Sequence, residues 1–195
     1  MQEYQHPADA MEESDLVRAC VEKNPRAQKK LYDQYSGMVM AICVRYAGDR
    51  DIALDAFQEC FIKVFEKIHQ FSGQGPLGGW IRSIAVNTSL IHIKKNVVWG
   101  RMADVDDQHD IKERHYGVLE EMAAGEIMKM VEAMPAGYRT VFNLYAIEGY
   151  QHNEIGEMLG ISENTSKTQF MKAKAFLVKK LDETKTKSWT ERMKN

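Results

Sequence analysis

The chain has 195 residues, room for one ordinary domain or two small ones, and its 44% apolar and 28% charged content excludes a wholly disordered or fibrous protein. No apolar run approaches the roughly 18 residues of a membrane span, and the first fifteen residues are polar and acidic rather than a secretory leader. A formal net charge of −2 argues against a uniformly basic nucleic-acid binder, so the distribution of charge along the chain has to decide that question.

Four prolines and thirteen glycines are too few for the turns of an all-β fold, and the composition leans α-helical. After a polar tail over 1–13, Leu16, Ala19, Cys20 and Lys23 mark a short helix that Ser14 is placed to cap and Asn24-Pro25 ends. Ala27, Leu31, Tyr35, Met38, Val39, Ile42, Cys43 and Tyr46 then recur at three- and four-residue steps, predicting one long helix that stops at Gly48. A third helix from Asp51 to His69 carries Ile52, Ala56, Phe57, Cys60, Phe61, Val64, Phe65 and Ile68 on its apolar side. Phe71 to Gly79 is a glycine-rich break containing Pro76, where the backbone is free to approach a ligand closely. A fourth helix from Trp80 to Asn96 places Ile81, Ile84, Ala85, Thr88, Ile91 and Ile93 inside or half inside and ends on Lys94 and Lys95, as the helix dipole favours.

Periodicity is lost over 97–119. From Ala103 to Glu121 seven acidic residues face two basic ones, which reads as a solvated linker. A second helical unit over 120–184 begins with Met122, Ile127, Met130, Val131 and Met134, stops at Pro135, resumes through Tyr138, Val141, Phe142 and Tyr145, and breaks at Gly149. A short helix bearing Ile155, Met158 and Leu159 ends at Gly160. Ser162 caps a longer one with Phe170, Ala173, Phe176, Leu177 and Leu181, and a frayed tail occupies 185–195. The expected fold class is all-α, two small helical domains joined by an acidic linker, without an internal repeat.

The local charge balance reverses between Ser162 and Lys180, where five lysines face one glutamate. Two helices joined by a glycine turn match a helix-turn-helix, whose second helix enters the major groove. Its first turns carry Ser162, Asn164, Thr165, Lys167, Thr168, Gln169 and Lys172, side chains able to donate to phosphates and reach base edges. An ordinary αα-hairpin with a solvated polar face is the simpler alternative.

Met134-Pro-Ala-Gly-Tyr-Arg-Thr-Val-Phe-Asn-Leu-Tyr-Ala-Ile-Glu-Gly-Tyr150, followed by Asn153-Glu-Ile-Gly-Glu-Met-Leu-Gly-Ile-Ser162, resembles the promoter-binding carboxyl-terminal domain of bacterial extracytoplasmic-function sigma factors. Asp55-Ala-Phe-Gln-Glu-Cys-Phe-Ile-Lys-Val-Phe65 and Trp80-Ile-Arg-Ser-Ile-Ala-Val-Asn-Thr88 resemble the family's amino-terminal domain, in the expected order. The resemblance implies a region 2-like domain over 14–96 and a region 4-like domain over 120–184. It implies a transcription initiation factor that binds core RNA polymerase and reads the minus-ten and minus-thirty-five promoter elements. Asp55, Gln58 and Glu59 would dock on a coiled coil of the polymerase largest subunit, setting orientation more than raw affinity. Phe71, Trp80, Arg82, Asn87 and Thr88 would serve minus-ten recognition and melting, holding a flipped base. Lys94 and Lys95, with Arg101 beyond, would follow the DNA backbone. Ser162, Asn164, Thr165, Lys167, Thr168, Gln169, Met171 and Lys172 would contact the minus-thirty-five element, with Gln169 the expected base reader because an amide pairs bidentately with adenine. A partner anti-sigma factor, often membrane-anchored in the family, is implied as well. Each residue also has a plain structural alternative: the wet side of a helix for Asp55, Gln58 and Glu59, and a core aromatic for Trp80.

The chain departs from the family where Ser83 stands for a usual arginine, Gly156 for alanine, Ser166 for valine, and Lys172 and Lys174 for arginines, losing bidentate geometry. No H-E-x-x-H, Walker loop or G-x-S-x-G occurs, so catalysis has no candidate and no cofactor is expected. His109 and His115 among linker aspartates are read as solvated rather than as a metal site. Cys20, Cys43 and Cys60 lack C-x-x-C spacing, and the last two read as small buried hydrophobes in a reducing, cytoplasmic setting. The rival class is a stand-alone helix-turn-helix regulator that binds duplex DNA as a dimer; such a protein has no use for the glycine-rich loop and the helix behind it.

Overall fold

The computed structural model describes residues 12–96 and 124–192, and among them every regular element is helical. They fall into two compact units, one of residues 12–43 and 50–89, the other of residues 44–49, 90–96 and 124–192. The expected linker over 97–119, with Arg101, His109 and His115, lies outside the described residues, as do residues 1–11 of the tail.

In the first unit, α1 spans Glu13–Val21 and begins one residue before Ser14, so the capping expected of that serine is replaced by a start at Glu12 without a side-chain cap. Helix α2 spans Pro25–Ala47, with Pro25 at the first helical position, where its missing N–H is no loss. Asn24 caps it, Oδ1 accepting from the backbone N–H of Arg26 at 2.9 Å and of Ala27 at 3.3 Å. Helix α3 spans Arg50–Lys67 and tightens into a 3-10 turn over Ile68–Gln70, on which α1 packs. Helix α4 spans Leu77–Asn96 and starts a turn before the predicted Trp80. Gly78 and Gly79 are therefore helical, and a Cβ at Gly78 would sit 3.2 Å from the Tyr35 ring, so glycine makes room there for close helix packing.

Leu16, Leu31, Val39, Ala56, Val64, Ile81 and Ala85 fill the interior of the first unit, and the rings of Tyr32, Phe57, Phe61 and Phe65 run beside one another at 4.7–6.1 Å. All three cysteines are buried. Burial pushes the Cys60 thiol up to about 12, and Cys43 accepts a hydrogen bond from Ser89 Oγ at 3.7 Å, so these groups are packing rather than redox chemistry. Ile91, expected inside or half inside, is 43% exposed.

In the second unit, α5 (Ala124–Glu132), α6 (Ala136–Phe142), α7 (His152–Leu159) and α8 (Glu163–Arg192) surround Val131, Met134, Ala173 and Leu177. Helix α6 ends in a π turn over Asn143–Ile147. Helix α8 runs past Thr184, where the periodicity predicted fraying, to Arg192. A buried cation ties together two helix ends in this unit. The Arg139 guanidinium donates to the carbonyls of Glu132 at 2.8 Å and Met134 at 3.0 Å, beside the end of α5, and to those of Tyr46 at 3.1 Å and Ala47 at 2.8 Å, the last residues of α2. Helix ends leave such carbonyls without intrahelical partners, and a cation there also suits the dipoles.

Gly160 closes α7 in the left-handed region at φ 72°, with its N–H on the Gly156 carbonyl at 2.8 Å. Gly156 itself is buried, and a Cβ there would lie 2.8 Å from the backbone oxygen of Ile161. Alanine is the better helix former by roughly 1 kcal/mol, but backbone cannot give way cheaply and overpacking costs about 1–3 kcal/mol. Gly156→Ala is therefore expected to lower the thermal midpoint. A raised midpoint in a melting experiment would show that the turn relaxes freely.

Candidate nucleic-acid interface

Ser162 begins the last helix as predicted, its Oγ accepting from the Thr165 N–H at 3.0 Å. From that start, Asn164, Lys167, Thr168 and Met171 face solvent, Met171 at 56% exposure, while Thr165 and Lys172 are half-buried. Lys167 pairs with Glu163 at 2.7 Å across one turn, an exposed bond of little stability value that a phosphate can replace. Gln169 does not belong to this face. It is 3% exposed, on the inner ridge with Ser166, Ala173 and Leu177, and a side chain so placed cannot pair with adenine. The expectation of a Gln169 base reader is corrected accordingly.

Ser166, the departure from valine, is satisfied by His152, whose Nδ1 lies 2.9 Å from the serine Oγ. The imidazole stacks on Tyr145 at 4.3 Å between centroids and 9° between planes, with Phe170 5.8 Å away. Burial holds the His152 pKa below the ordinary imidazole value, Lys167 lowers it further, and Glu163 opposes both. The unfolded chain thus takes up the proton first as pH falls, which makes the stability difference one of proton binding by the unfolded state. This contribution is expected in full above the unfolded value of about 6.5 and should fade as pH drops through it toward the lower folded value. Melting curves of wild type and His152→Phe across this range test it: an equal pH slope in both proteins would remove His152 as the cause.

In the first unit, the loop between Phe71 and Leu77 passes through Gly73 at φ 74° and Gly75 at φ 100°, conformations that favour glycine, with no atom within 4 Å of a built Cβ at either. Phe71 and Trp80 are half-buried and flank the loop, 5.8 Å apart and tilted by 56°. Ser83 and Asn87 are exposed one and two turns along the same ridge of α4. Thr88 is not available as a DNA contact. It is 1% exposed, its hydroxyl 3.5 Å from Lys63 Nζ. Arg82 is half-buried on another side of the helix, Lys94 is exposed with Nζ donating to the Met158 carbonyl, and the side chain of Lys95 lies outside the described residues.

On α3, Asp55 and Gln58 are exposed, whereas Glu59 is half-buried and bonded to Lys63 at 2.6 Å. Their apolar neighbours Leu54 and Ile62, absent from the residues expected to bind polymerase, are 37% and 57% exposed. The signal was present, because both fall off the stripe of Ala56, Phe57, Cys60, Phe61 and Val64 that the helix buries. Among the described residues, no group of three or more His, Cys, Asp or Glu side chains could hold a metal, and no helix is long and apolar enough to cross a membrane.

Residues 31–97 match the family model for Sigma-70 region 2, and residues 124–177 that for Sigma-70 region 4. The RNA polymerase sigma-H factor of Pseudomonas aeruginosa is 24% identical over 179 residues, covering 83% of this chain and 91% of that protein. The ECF RNA polymerase sigma-E factor of Haemophilus influenzae is 24% identical over 188 residues, covering 89% and 97%. Among solved structures, the sigma factor RpoE of Bartonella quintana, crystallised with the anti-sigma factor NepR, shares 19% identity at a TM-score of 0.46, over 80% of this chain and 96% of that one.

Proposed function

The chain belongs to the extracytoplasmic-function group of bacterial sigma-70 factors, and on that premise we propose how it directs core RNA polymerase to promoters. One observation carries the reading: both sigma-70 regions occur in order in a single chain, each bearing a surface of the chemistry its task needs. The region 2-like domain, residues 14–96, meets polymerase with the outer face of α3, where Leu54 and Ile62 supply apolar area and Asp55 and Gln58 supply register. Its glycine loop, Phe71 and Trp80 receive an unstacked minus-ten base, while Asn87 offers an amide to the same strand.

The region 4-like domain, residues 120–184, lays the start of α8 in the major groove of the minus-thirty-five element. Asn164 and Thr168 meet base edges, and Met171 offers apolar contact to a thymine methyl. Lys167 and Lys172 take phosphates, adding salt dependence without sequence information. Residues 97–119 link the two domains. The factor itself catalyses no reaction, needs no cofactor and works in the cytoplasm beside polymerase. An anti-sigma factor, as is common for this group, regulates it by covering the same surfaces. A stand-alone duplex-binding regulator would leave the first sigma-70 region without a task.

Core polymerase supplemented with the chain and a library of genomic fragments should yield transcripts from discrete starts that share minus-ten and minus-thirty-five elements. Transcripts no different from those of core alone would contradict the reading.

A further inference from the structure

Within the glycine loop the Gln74 N–H donates to Ser72 Oγ at 3.4 Å, and no atom lies within 4 Å of a built Cβ at Gly73 or Gly75, so the placement of the loop rests on its two ends. Its first end is anchored by the Phe71 N–H on the Ile68 carbonyl at 3.1 Å and by the Phe71–Trp80 ring contact. Its second end is anchored from sixty-four residues earlier in the chain, where Glu13 of α1 places Oε1 2.8 Å from the backbone nitrogen of Leu77. Leu77 is the first residue of α4, so its N–H has no intrahelical partner, and a carboxylate there satisfies both the donor and the positive end of the helix. Leu77 is fully buried, which ties the hydrogen bond to a fixed point of the core. Tyr35 of α2 packs its ring against Gly78 at this helix end, and burial, with a smaller contribution from Glu13, holds the Tyr35 hydroxyl pKa above its ordinary value. Trp80 follows three residues after Leu77, on the next turn of the helix.

We propose that Glu13 is a positioning residue for base capture: by capping α4 at Leu77 it fixes the start of the helix, and with it the placement of Trp80 and of the glycine loop that receive the base. This rests on the sigma-factor reading given above and extends it to α1, which that reading leaves without a task. Glu13 touches no DNA in this account and acts only through the Leu77 N–H.

The test uses holoenzyme assembled from full-length chain and core polymerase on a promoter that wild type transcribes, with permanganate reactivity of unpaired thymines as the readout. Glu13→Ala should lower the open fraction roughly fivefold, the effect of losing one helix cap of about 1 kcal/mol, with core affinity and retention on closed duplex unchanged. Glu13→Gln, whose amide oxygen can still accept from Leu77, should recover most of the opening. Normal opening by Glu13→Ala, a parallel loss of core binding, or a Glu13→Gln variant as defective as alanine would each overturn the proposal. Failure of wild type itself to bind core or open any promoter would instead overturn the sigma-factor reading.

Discussion

Arg139→Met is expected to lower folding stability by about 3 kcal/mol, because hydrogen bonds to a charged group contribute roughly 1.5–3 kcal/mol and buried carbonyls left without partners carry a further penalty. Methionine retains much of the volume, so the loss reports hydrogen bonding more than a cavity. The guanidinium is 7% exposed and serves four carbonyls from two helix ends, a geometry that a planar five-donor group can satisfy and an ammonium cannot. Arg139→Lys should therefore fall between wild type and methionine. Gly48 belongs to the same arrangement, with φ 64° and a built Cβ only 2.1 Å from the guanidinium, so Gly48→Ala should displace the arginine and destabilise in the same direction. Urea titration measures all three. A methionine variant within about 0.5 kcal/mol of wild type, the range of an ordinary surface change, would show that water serves these carbonyls as well as Arg139 does.

The second large effect concerns association. Ile62→Glu is expected to weaken binding to core polymerase ten- to hundredfold, about 1.4–2.8 kcal/mol, the loss typical of an apolar anchor near the centre of an interface. Ile62 is 57% exposed, so the isolated fold should be little affected, and an unchanged melting curve provides the control. Glu59 should matter less than Asp55 or Gln58, because its carboxylate is already bonded to Lys63 at 2.6 Å. Unaltered affinity of the Ile62 variant would move the polymerase surface off this face of α3.

The helices whose apolar positions repeat most regularly, α2, α3 and the first half of α8, were legible from the sequence, and so was the Ser162 cap. Local signals set these: spacing decides which face is buried, and a hydroxyl beside the first free N–H groups decides where a helix begins. Errors arose where residue chemistry was weighed before position. Gln169 attracted a base-reading role through its amide, although counting from Ala173 and Leu177 already places it on the inner ridge; Thr88 likewise follows Ile81 and Ala85 inward. The glycine-rich stretch around Pro76 predicts a break through to Gly79, yet α4 starts directly after the proline at Leu77 and takes Gly78 and Gly79 into its first turn. Other features had no local signal. Arg139 finds two of its carbonyl partners more than ninety residues away, and Glu13 finds Leu77 sixty-four residues away, so neither could come from periodicity or capping rules. The exchange of valine for serine at 166 becomes intelligible only with His152 beside it.

The central claim, that this chain is a polymerase-directing factor, is tested most directly by mixing it with bacterial core RNA polymerase and following co-elution on size exclusion at moderate salt. The account predicts a stoichiometric complex with wild-type chain that Ile62→Glu disrupts. Separate elution of folded wild-type chain and active core would contradict it.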